Sequence, residues 1–312
     1  MVGKSLHKVI VWIVCISLAV FIFPIVLVVS SIITNIESCR RKKEKSIKNE
    51  VAVVTGSASG LGKNIAIELA ARGCHVAICD INYDLAVTTA KEIAEKYGVK
   101  AKAYKVDVTK YDEIVELNEK LTNDIGTATI LVNNAGLLFH SDRLKPTVKE
   151  IEAMINVNYV SHFWTNRVFM ENMKRAKKGY LMAVCSVAGL QALVQSEPYS
   201  SAKFAVRTLM RIMRAELKIE GFSCIHLTTV FPYFIRTNAR VTQMAEEGGF
   251  TKRYPLLEGE EVAQRAVSRM LCGEIEVIIP SLAALIYRLI DLLPQRVQDW
   301  LTAANITPSN NI

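Results

Sequence analysis

Short runs of apolar and β-branched residues recur along this chain at intervals that leave room for a helix between one run and the next. They are VAVVT from Val51, HVAIC from His75, AKAYKVDV from Ala101, TILVNNAG from Thr129, YLMAVCS from Tyr180, SCIHLTTV from Ser223 and EVIIP from Glu276. Several of these runs stay apolar instead of alternating with polar residues, so both of their faces must be covered. A parallel sheet with helices on either side meets that requirement. The pattern predicts the α/β class, with one doubly wound domain over residues 50–280 and a parallel sheet of about seven strands.

Outside that domain the composition changes. Val9 to Ile33 runs 25 residues without a charge, and as a helix it would reach about 37 Å, against a hydrocarbon core of about 30 Å. Residues 1–33 are therefore expected to be an uncleaved membrane anchor; the competing reading, a signal peptide, lacks a cleavage site ahead of SCRRKKEK. Pro24 leaves open a hairpin that dips into a lipid-droplet monolayer and returns. Lys4, Lys8, Arg40, Arg41, Lys42, Lys43, Lys45 and Lys48 carry most of the formal charge of +8. This makes 34–49 a basic linker, leaves the body without a nucleic-acid face and puts it on the cytosolic side. Residues 281–312 form an amphipathic extension in which Leu282, Leu285, Ile286, Leu289 and Leu293 keep helical spacing; it packs either on the domain or on a membrane. Seven scattered cysteines and five histidines show neither a disulfide framework nor metal-ligand spacing, so no metal is expected.

Two features point to a dinucleotide. TGSASGLG follows the first strand and opens the first helix, where Gly56, Gly60 and Gly62, with Ser59 and Leu61, would let the backbone and a helix N-terminus approach a pyrophosphate. Asp80 ends the second strand about 20 residues on, where a carboxylate can take both ribose hydroxyls and repels a 2′-phosphate. The expected cofactor is NAD, with NADP second; Lys63, near the start of the helix, is the reservation. Further on, YSSAK sets Tyr199 and Lys203 one helical turn apart. At that spacing an ammonium can lower a phenol from its ordinary value near ~10 toward the range useful for proton transfer.

Together these motifs resemble the short-chain dehydrogenase/reductase family: TGSASGLG matches its TGxxxGxG loop, NNAG from Asn133 its fourth-strand motif, and YSSAK its YxxxK, with Ser186 thirteen residues ahead of Tyr199. The resemblance covers Glu50 to Pro280 and implies a Rossmann fold. VNYVSHFW and PYFIRT, with the anchor, resemble the membrane and lipid-droplet group of epidermal retinol dehydrogenases and droplet-type 17β-hydroxysteroid dehydrogenases. The family roles fall on Tyr199 as general base, on Lys203 as its tuner and ribose ligand, on Ser186 as holder of the substrate oxygen, and on Asn158 as anchor of a relay water. Cofactor contacts would come from Asn134, Ala135, Gly136, Asp107, Val108, Pro232 and Thr237. Tyr233, Cys185 and Ser161 depart from the family pattern.

The resemblance implies oxidation of a lipophilic alcohol, retinol- or steroid-like, at an endoplasmic reticulum or lipid-droplet surface. Apolar residues in the loops after the fourth to sixth strands fit such a substrate, among them Leu137, Leu138, Leu190, Leu193, Phe234 and Met244. An NADPH-dependent carbonyl reductase and a non-catalytic lipid-surface scaffold are the alternatives. The family commonly forms homodimers through the helices bearing Asn158 and Tyr199.

Overall fold

The computed structural model describes residues 10–18, 21–22, 25–26, 43–138, 146–194, 196–236, 242, 255–281, 287, 289–290 and 292–304. Two compact units divide the chain, Met1–Lys43 and Glu44–Ile312. In the first, residues 10–18 are helical and expose Trp12 and other apolar side chains. Among the described residues no helix is long and apolar enough to cross a membrane; much of the expected anchor, Pro24 included, lies outside them.

The second unit holds β1 (Val51–Thr55), α1 (Gly60–Ala71), β2 (His75–Asp80), α2 (Tyr83–Tyr97), β3 (Ala101–Lys105), α3 (Tyr111–Asp124) and β4 (Ile130–Asn133). After these come α4 (Val148–Ile155), α5 (Ser161–Ala176), β5 (Gly179–Val184), α6 (Glu197–Ile219), β6 (Ile225–Pro232), α7 (Gly259–Leu271), β7 (Glu276–Ile279) and α8 (Gln295–Ala304). All seven strands are parallel, in the order β3-β2-β1-β4-β5-β6-β7. This is the expected doubly wound sheet. The order reverses between β1 and β4, and the crevice beyond the carboxyl ends of strands at such a reversal is where ligands bind.

Burial explains the apolar runs. Every residue of β1 is buried, because α1, α2 and α7 pack on one face of the sheet while α3, α5 and α6 pack on the other. Ile65, Leu69 and Ile78 fill the first layer and Phe169, Leu181 and Phe231 the second, each fully buried and each contributing about 1.5–3 kcal/mol of transfer free energy. Local signals fix the helix ends. Asn82 Oδ1 accepts from the Leu85 N–H at 3.2 Å, Gly98 closes α2 at φ 66, and Thr147 with Glu150 forms a capping box on α4. The end of the basic linker belongs to this unit: Ile47 is 1% exposed, and Arg72 holds Glu44 at 3.1 Å. Most of the expected helix 281–293 lies outside the described residues, though Leu289, Leu292 and Leu293 are exposed.

Candidate active site

The cleft at the switch point is built from backbone outward. Gly56 and Gly60 turn the loop at φ 62 and 56, which suits residues without a side chain. A Cβ on Gly62 would collide with the Gly56 oxygen and come 2.5 Å from Asn134 Nδ2. The loop is pinned from below, where Ser57 Oγ donates to Val54 O at 2.6 Å and accepts from Cys79 N at 3.0 Å. Asn134 Nδ2 donates to the oxygens of Thr55 and Gly56, both at 2.9 Å. The Asn134 side chain therefore stitches the fourth strand to the glycine loop.

Asp80 is held in place by backbone: Oδ2 accepts from Ala58 N and Oδ1 from Asn82 N, each at 3.0 Å. One lone pair on each oxygen remains for a ligand. Lys63 does not turn toward the cleft to meet a phosphate; its Nζ is paired with Glu92 at 2.6 Å.

A cleft of about 840 Å³ joins this end to the YSSAK helix. Gly56, Ser59, Leu61, Asp80, Asp107, Val108, Asn134, Ala135, Gly136, Asn158, Ser186, Tyr199, Lys203 and Pro232 all line it. Gly60 and Gly62 do not line it and act instead on the shape of the loop. Thr237 lies outside the described residues, as does Met244. Leu137, Leu138, Leu193 and Phe234 face the cleft, whereas Leu190 belongs to the core. Tyr233 also lines the cleft, with its ring edge-on to Phe234 at 5.4 Å.

Tyr199 sits in the first turn of α6 and Lys203 one turn later, both facing inward, with Lys203 3% exposed. Lys203 Nζ donates to Val184 O at 3.2 Å and lies 5.5 Å from the centroid of the Tyr199 ring. Burial pushes the Tyr199 phenol up to about 12, the nearby Cys185 thiol adds to the rise, and a hydrogen bond with Ser186 works the other way. This corrects the expectation from spacing alone. The ammonium lies over the ring, and desolvation of the phenolate is the largest cause of the shift. Burial also lowers the Lys203 ammonium, and Cys185 partly offsets that.

Asn158 lies in a π-helical turn, Asn156–Val160, between α4 and α5. Its Oδ1 accepts from Leu137 N at 3.1 Å, and its Nδ2 donates to Leu137 O at 2.6 Å and to Met154 O at 2.9 Å. Both side-chain donors are thus engaged with main chain. A π turn interrupts the regular i→i−4 ladder at this point of the helix. A Cβ on Gly136 would stand 3.2 Å from Asn158 Oδ1 and 3.9 Å from Lys203 Nζ, so these three groups converge.

Two contributors were not foreseen from sequence. His162, one turn beyond Asn158, is 1% exposed with Nδ1 unpartnered, and burial, helped by the Lys203 charge, pushes its imidazole down to about 3. Cys185 Sγ donates to Lys203 O at 3.1 Å, and Gly189 leaves room for that contact. No motif marks either residue; only the subgroup-like SHFW and the missing serine at 185 set them apart.

Oxidoreductases that lay a dinucleotide across the carboxyl edge of such a sheet form the class this arrangement defines. The short chain dehydrogenase family model matches residues 50–248; the chain belongs to that family and is an NAD(P)-dependent alcohol dehydrogenase/reductase. It is 33% identical over 243 residues to "Short-chain dehydrogenase/reductase family 16C member 6" of Bos taurus, covering 77% of this chain and 75% of that one. It is 31% identical over 260 residues to "17-beta-hydroxysteroid dehydrogenase 13" of Homo sapiens, covering 82% and 83%. An alcohol dehydrogenase from the archaeon Thermococcus sibiricus, complexed with 5-hydroxy-NADP, superposes with a TM-score of 0.64 at 25% identity, covering 74% of this chain and 95% of that one.

Proposed function

We propose that this enzyme oxidises a lipophilic alcohol, retinol- or steroid-like, to its carbonyl with NAD⁺, at the surface of the endoplasmic reticulum or a lipid droplet. The observation that carries the chemistry is the gathering of Ser186, Tyr199 and Lys203 in the cleft that also holds Asp80 and the glycine loop. The cradle that a Cβ on Gly62 would fill, and the open lone pairs of Asp80, fit a dinucleotide.

Asp80 would take the adenosine ribose, Gly56, Ser59, Gly60, Leu61 and Gly62 the pyrophosphate side, and Asp107 and Val108 the adenine flank. Asn134, Ala135, Gly136, Pro232 and Thr237 complete the set toward the reacting end. When bound, NAD⁺ supplies the hydride acceptor and a positive ring charge that favours the phenolate. Ser186 Oγ holds the substrate oxygen. Tyr199, once its own proton has been relayed by way of Lys203 Nζ, which is steadied by Val184 O, to water at the Asn158 turn, takes the alcohol proton at Oη. A buried phenol at about 12 keeps its proton in the free enzyme, so the base is made in the complex.

NAD is favoured over NADP because Asp80 offers a carboxylate where a 2′-phosphate would lie and Lys63 is committed to Glu92. The 5-hydroxy-NADP in the archaeal neighbour is the observation that favours the second reading, an NADP-dependent reductase. Support for the lipophilic substrate comes from Leu137, Leu138, Leu193, Tyr233 and Phe234 along the cleft and from the similarity to a 17-beta-hydroxysteroid dehydrogenase. The lipid-surface location rests on the uncharged run from Val9 to Ile33 and the exposed leucines after β7. Assay of membranes carrying the full chain against retinoids, steroids and long-chain alcohols, with NAD⁺ and NADP⁺ separately, tests the reading. NADH formation with a lipophilic alcohol is expected; turnover confined to short polar alcohols, or to NADP⁺, would refute it.

A further inference from the structure

His162 of α5 is a buried titratable side chain that the roles given to Ser186, Tyr199 and Lys203 leave unused. It stands one turn beyond Asn158, just after the π turn that packs on α6, and it is 1% exposed. Nδ1 is enclosed, and among the described residues neither ring nitrogen has a hydrogen-bond partner. Its polar neighbours are satisfied. Thr165 Oγ1 donates to Asn133 Oδ1 and Asn133 Nδ2 to Asn166 Oδ1, both at 2.8 Å, while Leu137 and Met154 engage the Asn158 amide.

The charge that reaches this imidazole is that of Lys203, which joins burial in keeping the ring neutral. A neutral imidazole offers one ring nitrogen as an acceptor. An ammonium has three N–H donors, and one of those on Lys203 goes to Val184 O at 3.2 Å. No direct hydrogen bond joins the two side chains, so a contact between them runs through a third group. Gly136 leaves room beside the ammonium, since a Cβ there would stand 3.9 Å from Lys203 Nζ. Buried polar atoms without a protein partner are commonly served by an internal water, which needs roughly two to four polar partners and no open channel. Lys203 Nζ supplies a donor to such a water and His162 Nδ1 an acceptor.

We propose that His162 is a positioning residue for the proton relay: its Nδ1 accepts a hydrogen bond from an internal water that in turn accepts from Lys203 Nζ. His162 keeps its single proton, on Nε2, throughout. The water takes up the proton that Tyr199 releases by way of Lys203 and passes one of its own outward through its second O–H, so no proton is gained or lost by the imidazole. The inference deepens the function proposed above and rests on Tyr199 as the proton acceptor.

The test uses the full chain in detergent with two variants: His162→Leu, an apolar side chain of similar size, and His162→Gln, whose Oε1 can accept in place of Nδ1. Leucine should lower kcat about tenfold and leave KM and the Kd of NADH, read by fluorescence titration, within about twofold. It should also raise the solvent deuterium isotope effect on kcat, because the relay then limits turnover. Glutamine should restore most of kcat. A leucine variant with unchanged kcat and isotope effect, or a glutamine variant as impaired as the leucine one, would overturn the proposal. NMR of ¹⁵N-histidine-labelled protein separates this idea from the oxidation reading. The His162 signals, assigned by their loss in His162→Leu, should show an unprotonated Nδ1 whose shift moves in Lys203→Met. A proton on Nδ1, or a shift indifferent to Lys203, would overturn the water bridge whatever the turnover. A wild type that turns over no alcohol yet gives the expected spectra would sink the oxidation reading and leave the bridge standing.

Discussion

The Cys185 thiol donates to the main-chain oxygen of Lys203 at 3.1 Å, tying the exit of β5 to the helix that carries the reacting phenol. Ser186 is the next residue on one side of that tie, and Tyr199 lies one turn earlier on the other. Cys185→Ala should cost about 1 kcal/mol of stability and lower kcat several-fold with KM little changed, because the loss falls on alignment. Cys185→Ser should restore most of both. Denaturant unfolding and steady-state kinetics on the pair check this; an alanine variant with unchanged kcat would show that the contact does not position Lys203.

Gly62 is enclosed by the Gly56 carbonyl and the Asn134 amide. Gly62→Ala should push the loop off its fourth-strand support, destabilising the protein by about 1–3 kcal/mol and weakening NAD⁺ roughly tenfold. Fluorescence titration of NADH with the variant gives the answer.

Asp80 presents a carboxylate already oriented by Ala58 and Asn82. Loss of hydrogen bonds to a charged group costs about 1.5–3 kcal/mol, so Asp80→Ser should weaken NAD⁺ by about tenfold or more and NADP⁺ much less. The ratio of the two Kd values, wild type against variant, is the measurement. A wild type that binds NADP⁺ more tightly would reverse the assigned preference.

His162 makes a pH-dependent contribution with a definite sign. The folded protein takes a proton there only near about 3, whereas an unfolded histidine takes it near ~6.5. This stability is complete above about pH 6.5 and is lost as pH falls toward 3, at up to about 1.4 kcal/mol per unit. His162→Gln should flatten that part of the stability profile, read by denaturant midpoints between pH ~6.5 and ~4.5. Parallel profiles would mean the imidazole is not shielded.

The sheet was legible because burial on both faces leaves its mark in composition: the uninterrupted VAVVT of β1 can be read directly. Tyr199, Lys203, Ser186, Asp80 and the loop glycines were legible because dinucleotide chemistry demands particular residue types at fixed spacing. The π turn at Asn156–Val160 was not, since an i→i+5 turn requires no residue type. Cys185 and Lys203 meet only in tertiary structure, and nothing marks His162 as buried except the packing of α5. The direction of the Tyr199 shift was not legible either, because spacing reveals a neighbouring charge but not the desolvation that is the largest cause of the shift.

The most direct test of the central claim is NADH formation by the full chain and by Tyr199→Phe at saturating NAD⁺ with one lipophilic alcohol. Removal of a general base predicts a fall in kcat of about 10² to 10⁴, with NAD⁺ affinity kept within a few-fold, and wild-type kcat/KM that rises with pH in the alkaline range. Equal rates for the two proteins, with the variant folded and NAD⁺ bound, would contradict the assignment of Tyr199 as the proton acceptor.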